Sequence, residues 1–182
     1  MSTPSEIAEL LTRGTIWFAI LGYAAGTGAF VVARTRPQLL HAARAAWTIA
    51  CISLIAHFIC AFNFYHHWSH ESAYVDTARQ TEEVVRLNWG GGLFINYALL
   101  IAWLVDVGWW WLGGINSYLK RNWALVITWH AFLIFIIFNA TVVFKSGNVR
   151  WVGFVISLFL VISWILIAKQ RTTQADLTLA SR

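Results

Sequence analysis

The sequence predicts an all-α fold, a polytopic membrane helix bundle with five transmembrane helices and one amphipathic extramembrane helix in the second loop. Of its 182 residues, 59% are hydrophobic and only 12% are charged, whereas a soluble domain carries about 25% charged residues. Five long runs are almost free of charge, and each is close to the length of about 17–25 residues that a helix needs to cross a bilayer. In lipid, backbone polar groups must bond within their own segment, so these runs are predicted to be helices.

The predicted spans follow the apolar runs in chain order and form one transmembrane domain of residues 1–169. They cover residues 16–33, 45–65, 93–112, 123–144 and 151–168. The outer loop, residues 66–92, contains the amphipathic helix at about 72–87, with candidate packing positions Ala73, Val75, Ala78, Val84, Val85 and Leu87. The chain has neither glycine nor proline between Gln38 and Trp89, so the second span is expected to continue helically past Tyr65. Residues 170–182 are predicted to be a flexible cytoplasmic tail.

Tryptophans mark the ends of these spans and indicate a lipid bilayer as the surroundings. The chain has 12 tryptophans, and an indole ring suits the membrane interface because it combines an apolar body with one N–H donor. Six of them lie near predicted span ends: Trp17, Trp47, Trp68, Trp89, Trp123 and Trp151.

The distribution of basic residues predicts the orientation of the chain. The first loop, the third loop and the C-terminal segment share one side of the membrane and carry Arg34, Arg36, Arg44, Lys120, Arg121, Lys169 and Arg171. The opposite side carries fewer basic residues. The bias places the N-terminus outside and the C-terminus in the cytoplasm. Because the basic residues sit beside helix ends and not in a patch interleaved with aromatics, no nucleic-acid binding is predicted.

Three ionisable residues, His57, Asp106 and His130, lie inside the predicted spans and are candidate functional residues, because such groups are costly in a membrane. At about 1.5 Å per residue, Asp106 and His130 both lie on the cytoplasmic side of the middle. Their spans are consecutive and antiparallel, so the two side chains are expected to meet. The pair is interpreted as a structural clamp, or alternatively as a proton relay or a carboxylate that orients a metal- or haem-ligating histidine.

His57 and His130 are also candidate cofactor ligands. The small residues that share the helical face of His57 are Ala46, Ala50, Ser53 and Ala61. Such a face either packs tightly on a neighbouring helix or leaves room for a flat cofactor. Two axial imidazoles need similar depths, and the depths of these two differ by about 8 Å on the same count. A b-type haem held by both histidines, singly ligated sites and no cofactor all stay open.

A second group of histidines follows the second span and is a candidate transition-metal site. If the helix continues past Tyr65, His66 and His70 are one turn apart, and so are His67 and Glu71. Imidazole and carboxylate groups at this spacing suit Zn²⁺ or Cu²⁺. The alternative, which is favoured, is an interfacial band in which amphipathic rings sit in the head-group layer.

Several phrases of the sequence resemble a set of uncharacterised bacterial multi-pass membrane proteins. The phrases are AFNFYHHWSH at 61–70, LNWGGGLFINY at 87–97, WLVDVGWWW at 103–111 and FNATVVF at 138–144. The resemblance covers spans two to four and implies location in a bacterial inner membrane. It implies no activity, cofactor or partner.

These observations favour a non-catalytic structural or assembly subunit of a membrane complex. Its partners would be other membrane subunits or further copies of this chain, and its contact surfaces would include the glycines of the first span, Gly22, Gly26 and Gly28. The alternative is a haem- or metal-binding subunit that works in electron transfer. A small-solute transporter is a second alternative, but five spans without an internal repeat are poorly suited to alternating access.

Overall fold

The computed structural model is helical in the residues that it describes, which are 4–33 and 35–180, with side chains described at 5–33 and 35–171. The helices are α1 (Pro4–Val32), α2 (Leu39–Ala61), α3 (His70–Val85), α4 (Gly92–Leu112), α5 (Gly114–Leu119), α6 (Trp123–Phe138) and α7 (Gly147–Ala180). Two π-helical turns, Phe62–His66 and Asn139–Val143, extend α2 and α6. Within this part of the chain, five stretches are long and apolar enough to cross a membrane: Ser5–Val32, Leu39–His66, Gly92–Leu112, Trp123–Val143 and Gly147–Arg171. The predicted all-helical fold with five spans is confirmed.

The first and last spanning helices, α1 and α7, are longer than the apolar runs that predicted them. α1 begins at Pro4, and within its polar first turns Arg13 pairs with Glu9 one turn earlier. α7 continues to Ala180, where the sequence predicts a flexible tail from residue 170. The side chains of residues 172–180, all of residues 181–182 and Arg34 lie outside the described residues, so the flexibility of the tail stays a prediction.

The chain divides into two compact units, and each is described by itself. The first unit is Met1–Tyr23 with Ala46–Val126, and the second is Ala24–Ala45 with Ile127–Arg182. That they form one domain stays a prediction. In the first unit, α2 runs antiparallel to α1: His57 near the end of α2 meets Thr12 near the start of α1, and Trp47 near the start of α2 meets Tyr23.

The first unit also packs α2 against α4 in antiparallel fashion. The ring of Phe58 lies 6.2 Å from that of Tyr97 near the start of α4. At the other end, the indole N–H of Trp111 donates to the hydroxyl of Thr48 at 2.9 Å. Thus α2 is the helix that both α1 and α4 contact in this unit.

A close helix contact in the first unit depends on a glycine. A Cβ atom at Gly22 would lie 3.0 Å from the Cβ atom of Ala50 and 3.3 Å from the carbonyl oxygen of Ala46. Ala46 and Ala50 belong to the small-residue face of His57, so at this point the face packs tightly on a neighbouring helix. Gly22, predicted as part of a surface for partners, is used inside the chain.

The helix does not continue from α2 into α3, and the expectation of a continuous helix is wrong. His67 and Trp68 adopt left-handed backbone conformations, with φ of 48° and 58°. Their N–H groups both donate to the carbonyl of Phe62, which ends the helix without glycine or proline. The hydroxyl of Ser69 then caps α3 by accepting from the N–H of Ser72 at 3.1 Å.

α3 confirms the predicted amphipathic helix in the outer loop but packs fewer of its residues than expected. Ala73 and Ala78 are buried. The other predicted packing positions are exposed, namely Val75, Val84, Val85 and Leu87. After α3 the chain passes so close to the helix that a Cβ atom at Gly90 would lie 2.4 Å from the carbonyl oxygen of Tyr74. The glycines before α4 therefore permit close packing as well as a turn.

In the second unit, α7 contacts the C-terminal part of α1 on one side and α6 on the other. Phe30 of α1 stacks on Trp164 with ring centroids 6.4 Å apart. His130 of α6 stacks on the same indole at 3.7 Å. Nearer the start of α7, a Cβ atom at Gly153 would lie 2.2 Å from the Oγ1 atom of Thr141, so the π-helical turn after α6 packs directly on α7.

We expect Gly22→Leu to lower the free energy of unfolding by about 1–3 kcal/mol, because a larger side chain overpacks the contact with Ala50. The matched control is Gly14→Leu on the same helix, where a Cβ atom meets nothing within 4 Å. This control should be neutral or slightly stabilising, because leucine favours a helix more than glycine does. Denaturant titration in mixed micelles measures both variants, and equal effects would contradict the proposed close contact.

Candidate functional site

The candidate site is the buried carboxylate of Asp106 and the side chains that bond to it. Asp106 lies in α4, six residues before its end, and is 6% exposed. Its Oδ2 atom accepts from the indole N–H of Trp47 at 2.8 Å and from the hydroxyl of Tyr118 at 2.9 Å. Its Oδ1 atom accepts from the guanidinium of Arg121. Both carboxylate oxygens are therefore occupied, and the ion pair leaves the cluster without net charge.

A tight reversal after α4 brings Tyr118 and Arg121 back to Asp106. The N–H of Gly113 closes α4 by donating to the carbonyl of Trp109 at 2.9 Å. Gly114 then adopts a φ of 72°, a left-handed conformation that favours glycine. The short helix α5 follows and ends just before Lys120, so the chain folds back over the end of α4.

Arg121 is held in place by a stack of two aromatic rings, those of Tyr118 and Trp110. The ring of Tyr118 lies parallel to that of Trp110, with centroids 3.9 Å apart and an interplanar angle of 10°. The guanidinium carbon of Arg121 lies 3.5 Å from the centroid of the Tyr118 ring. The Nε atom of Arg121 also donates to the carbonyl of Tyr118 at 3.1 Å. Only about 9% of the Arg121 side chain is exposed, so this is a buried ion pair and not a surface salt bridge.

Aromatic rings complete the surroundings of the site on the side of α2. The indole of Trp47 lies 5.0 Å from the rings of both Tyr23 and Trp103. This position contradicts the expectation that Trp47 anchors a span end at the interface, since the residue is 3% exposed. Trp47 instead supplies a donor to a carboxylate that lipid cannot solvate.

Tyr118 lies in the connection between α4 and α6, the third and fourth spanning helices, and this environment changes the pKa of its phenol. Burial raises the pKa of Tyr118 well above its usual range, and the negative charge of Asp106 raises it further, while Arg121 acts in the opposite direction. Tyr118 therefore stays protonated and donates its hydrogen bond to Asp106 across the physiological range of pH.

The arrangement suits a structural clamp better than proton transfer. A buried ion pair adds little net stability by itself, but it imposes one geometry because an unpaired buried charge is very unfavourable. Asp106 is bonded to one residue of α2 and to two residues of the segment that connects α4 to α6. The sequence predicts the importance of Asp106 but not these partners. In the sequence, Arg121 indicates only the orientation of the chain in the membrane. Nothing in the sequence indicates that Tyr118 and Trp47 bond to Asp106.

His130 belongs to the second unit. It is buried, and its ring stacks on Trp164 at an interplanar angle of 25°. The hydrogen bond between Asp106 and His130 that the sequence predicts stays a prediction, and so does a haem held by His57 and His130.

His57 is anchored through one ring nitrogen in the first unit. Its Nδ1 atom lies 2.9 Å from the carbonyl oxygen of Thr12. A carbonyl only accepts, so this bond assigns the hydrogen of the neutral ring to Nδ1 and leaves Nε2 with a lone pair. Metal-ligating histidines commonly have this kind of anchor on the nitrogen that does not bind the metal.

The four residues of the predicted outer metal site lie on different elements. His66 is in the π-helical turn, His67 is in the break, and His70 and Glu71 begin α3. The spacing of one turn on a single helix, which was the basis for a shared ion, therefore does not hold. Among the described residues, no three histidine, cysteine or carboxylate side chains are grouped to hold a metal. Metal binding by this set stays a prediction without its original geometric basis.

His70 takes part in an aromatic cluster at the start of α4. Its Nδ1 atom lies 3.2 Å from the hydroxyl of Tyr97, and its ring packs on the rings of Tyr97 and Phe94 at 5.9 and 5.6 Å. Such contacts are typical of amphipathic rings near a membrane interface.

Comparisons of the chain with protein-family models, with curated proteins and with solved structures found no match.

We expect Arg121→Gln to lower the free energy of unfolding by about 3–5 kcal/mol, because it leaves the carboxylate of Asp106 buried without its countercharge. The neighbouring Lys120 is exposed, so Lys120→Gln is a matched control that should stay within about 0.5 kcal/mol of the wild type. Combining Arg121→Gln with Asp106→Asn should cost less than the sum of the two single changes. Equal losses for Lys120→Gln and Arg121→Gln would show that the ion pair does not stabilise the fold.

Alkaline pH should destabilise the protein through Tyr118. Since its pKa is raised in the folded state, the unfolded chain releases the phenolic proton first, once the pH passes about 10. The contribution of Tyr118 to stability is therefore complete below that pH and falls above it, by up to about 1.4 kcal/mol per pH unit. Tyr118→Phe should remove this slope, whereas the control Tyr65→Phe, at an exposed position, should keep it. Unfolding measured from pH 8 to 11 compares the three proteins, and identical slopes would contradict the role of Tyr118.

Proposed function

We propose that the protein is a non-catalytic structural subunit of a complex in a bacterial inner membrane, with its N-terminus outside and its C-terminus in the cytoplasm. The observation that carries the proposal is that side chains of the same chain already bond the carboxylate of Asp106. A carboxylate that binds a substrate needs free acceptor positions for it, and three of the about four positions of Asp106 are taken within the chain. Both oxygens of Asp106 are bonded by Trp47, Tyr118 and Arg121 of the same chain.

The other candidate residues support the same conclusion. His57 is tied to the backbone of α1, and the outer histidines lie on separate elements around a helix break. The lipid environment follows from the five apolar helices. Polar side chains that bond to neighbouring helices are a common means of fixing membrane bundles.

A second candidate function, a haem- or metal-binding subunit in electron transfer, is favoured by the anchor of His57. The bond from Nδ1 to the carbonyl of Thr12 orients the imidazole and leaves Nε2 as the ligand atom. A haem bound there would supply one-electron chemistry. The residues of this chain would supply one axial imidazole from α2 and its orientation.

Purification from native membranes in a mild detergent tests the structural proposal. We expect the wild type to emerge with stoichiometric amounts of another integral membrane protein or as a homo-oligomer. Asp106→Asn should weaken this association and lower stability, because the geometry of the α4–α6 connection depends on the carboxylate. Lys120→Gln should behave as the wild type. A stable wild-type monomer without co-purifying subunits would refute the proposal.

The same preparation separates the second candidate from the first. The structural role predicts that a reduced-minus-oxidised spectrum of the haem-replete protein shows neither Soret nor α bands, and that His57→Leu changes no bound metal or pigment. Stoichiometric haem that is lost in His57→Leu would establish the electron-transfer subunit instead.

A further inference from the structure

Positive charge is concentrated in the second unit of the chain. Residues 24–45 and 127–182 contain eight of the 13 basic residues but only one of the eight acidic residues, Asp176. The formal net charge of this unit is therefore +7, whereas the first unit, with five basic and seven acidic residues, carries −2. A unit with this balance attracts anions from its surroundings, because its own carboxylate cannot neutralise it.

Four of the basic side chains that the structure describes in this unit belong to helix ends. Arg36 and Arg44 lie where the chain turns from α1 into α2, and Lys169 and Arg171 lie in the last turn of the candidate span in α7. Arg36 and Lys169 are exposed, and Arg44 and Arg171 are partly exposed.

Contacts between α1 and α7 show that these helix ends are on the same side. A Cβ atom at Gly28 would lie 3.4 Å from the ring of Phe159, and two residues later Phe30 stacks on Trp164. The two helices are therefore neighbours that run in the same direction. The end of α1 and the end of the span in α7 lie side by side.

The same contacts bring Arg36 and Lys169 to one level. Lys169 lies five residues beyond Trp164, about 7.5 Å further along α7. The N–H of Arg36 donates to the carbonyl of Val32 at 3.1 Å, so Arg36 lies one turn beyond Val32 and about 9 Å beyond Phe30. Packed helices lie about 8–10 Å apart. Two long side chains at this separation can contact one phosphate group.

The level of these residues determines which anion they meet. The candidate spans end at Val32 in α1 and at Arg171 in α7, so Arg36 and Lys169 lie where the hydrocarbon of a bilayer gives way to its head groups. Basic residues at this level attract anionic head groups, and each raises the binding constant about fivefold. Just before Lys169, the side chains of Ile165 and Leu166 are exposed and can contact acyl chains.

We propose that this end of the second unit binds an anionic phospholipid, with the lipid phosphate between Arg36 and Lys169. Arg44 and Arg171 add positive charge beside it. A zwitterionic lipid presents the same phosphate together with a cation, which the net charge of the unit disfavours. The inference goes beyond the proposed structural role and does not depend on it or on the orientation of the chain.

The test uses the full chain in mild-detergent micelles, titrated with phosphatidylglycerol or with phosphatidylcholine of the same acyl chains. Native mass spectrometry counts the lipids bound at each concentration. We expect phosphatidylglycerol to bind more tightly by about tenfold or more, since two or more basic side chains contribute. Arg36→Gln and Lys169→Gln should each weaken its binding about fivefold. Arg36→Lys, which keeps the charge, should bind nearly as the wild type does.

The matched control is Lys120→Gln, which removes a charge from an exposed position of the first unit. It should bind phosphatidylglycerol as the wild type does, and circular dichroism establishes that each variant is folded. Equal losses in Lys169→Gln and Lys120→Gln would overturn the proposal, because the attraction would then be common to all basic residues. Equal affinities of the wild type for the two lipids would also overturn it, because acyl chains alone would then account for binding.

Glycerol phosphate, which has the anionic group without acyl chains, distinguishes a lipid from a soluble phosphate compound. Under the proposal, a tenfold excess of glycerol phosphate over phosphatidylglycerol leaves the lipid bound, because the soluble compound lacks the contacts with the apolar side chains. Full displacement of the lipid by glycerol phosphate would identify a site for soluble phosphate compounds and refute the lipid as the occupant.

Discussion

The first unit is organised around one constraint, which is that a carboxylate buried among membrane helices must be neutralised and bonded by the protein itself. Asp106 meets this requirement through Arg121, Tyr118 and Trp47. The guanidinium can reach it only because the chain reverses at Gly114 and returns through α5. The path of the α4–α6 connection and the inward position of Trp47 therefore depend on the same group.

The polar side chains inside the spans differ in whether the chain satisfies them, and this difference guides the functional conclusions. Asp106 accepts hydrogen bonds at both oxygens from side chains of the same chain, which favours a structural role. His57 is bonded at Nδ1 and leaves its other nitrogen for a further contact. The hydroxyl of Ser157 is buried and has no hydrogen-bond partner in the described residues.

The outer end of α2 shows how a local backbone choice changes a candidate site. A continuous helix would place His66 and His70 on one face. The left-handed residues His67 and Trp68 and the Ser69 cap start a new helix instead. His70 then packs with Tyr97 and Phe94. A hydroxyl cap competes with helix continuation, and the balance between the two is not evident from the absence of glycine and proline.

The sequence by itself determined the five spans and the amphipathic α3, because an apolar run in a bilayer has almost no alternative to a helix and because its length must match the membrane. It also singled out Asp106, since a charge is rare in such a run. Only the tertiary structure decided the partners of that charge. Arg121 and Trp47 resemble ordinary interfacial residues in the sequence, and Tyr118 resembles an ordinary loop residue. Their inward positions result from a chain reversal and from the faces that α2 and α4 turn to each other. Such long-range choices depend on packing between segments, which no local pattern of residues specifies.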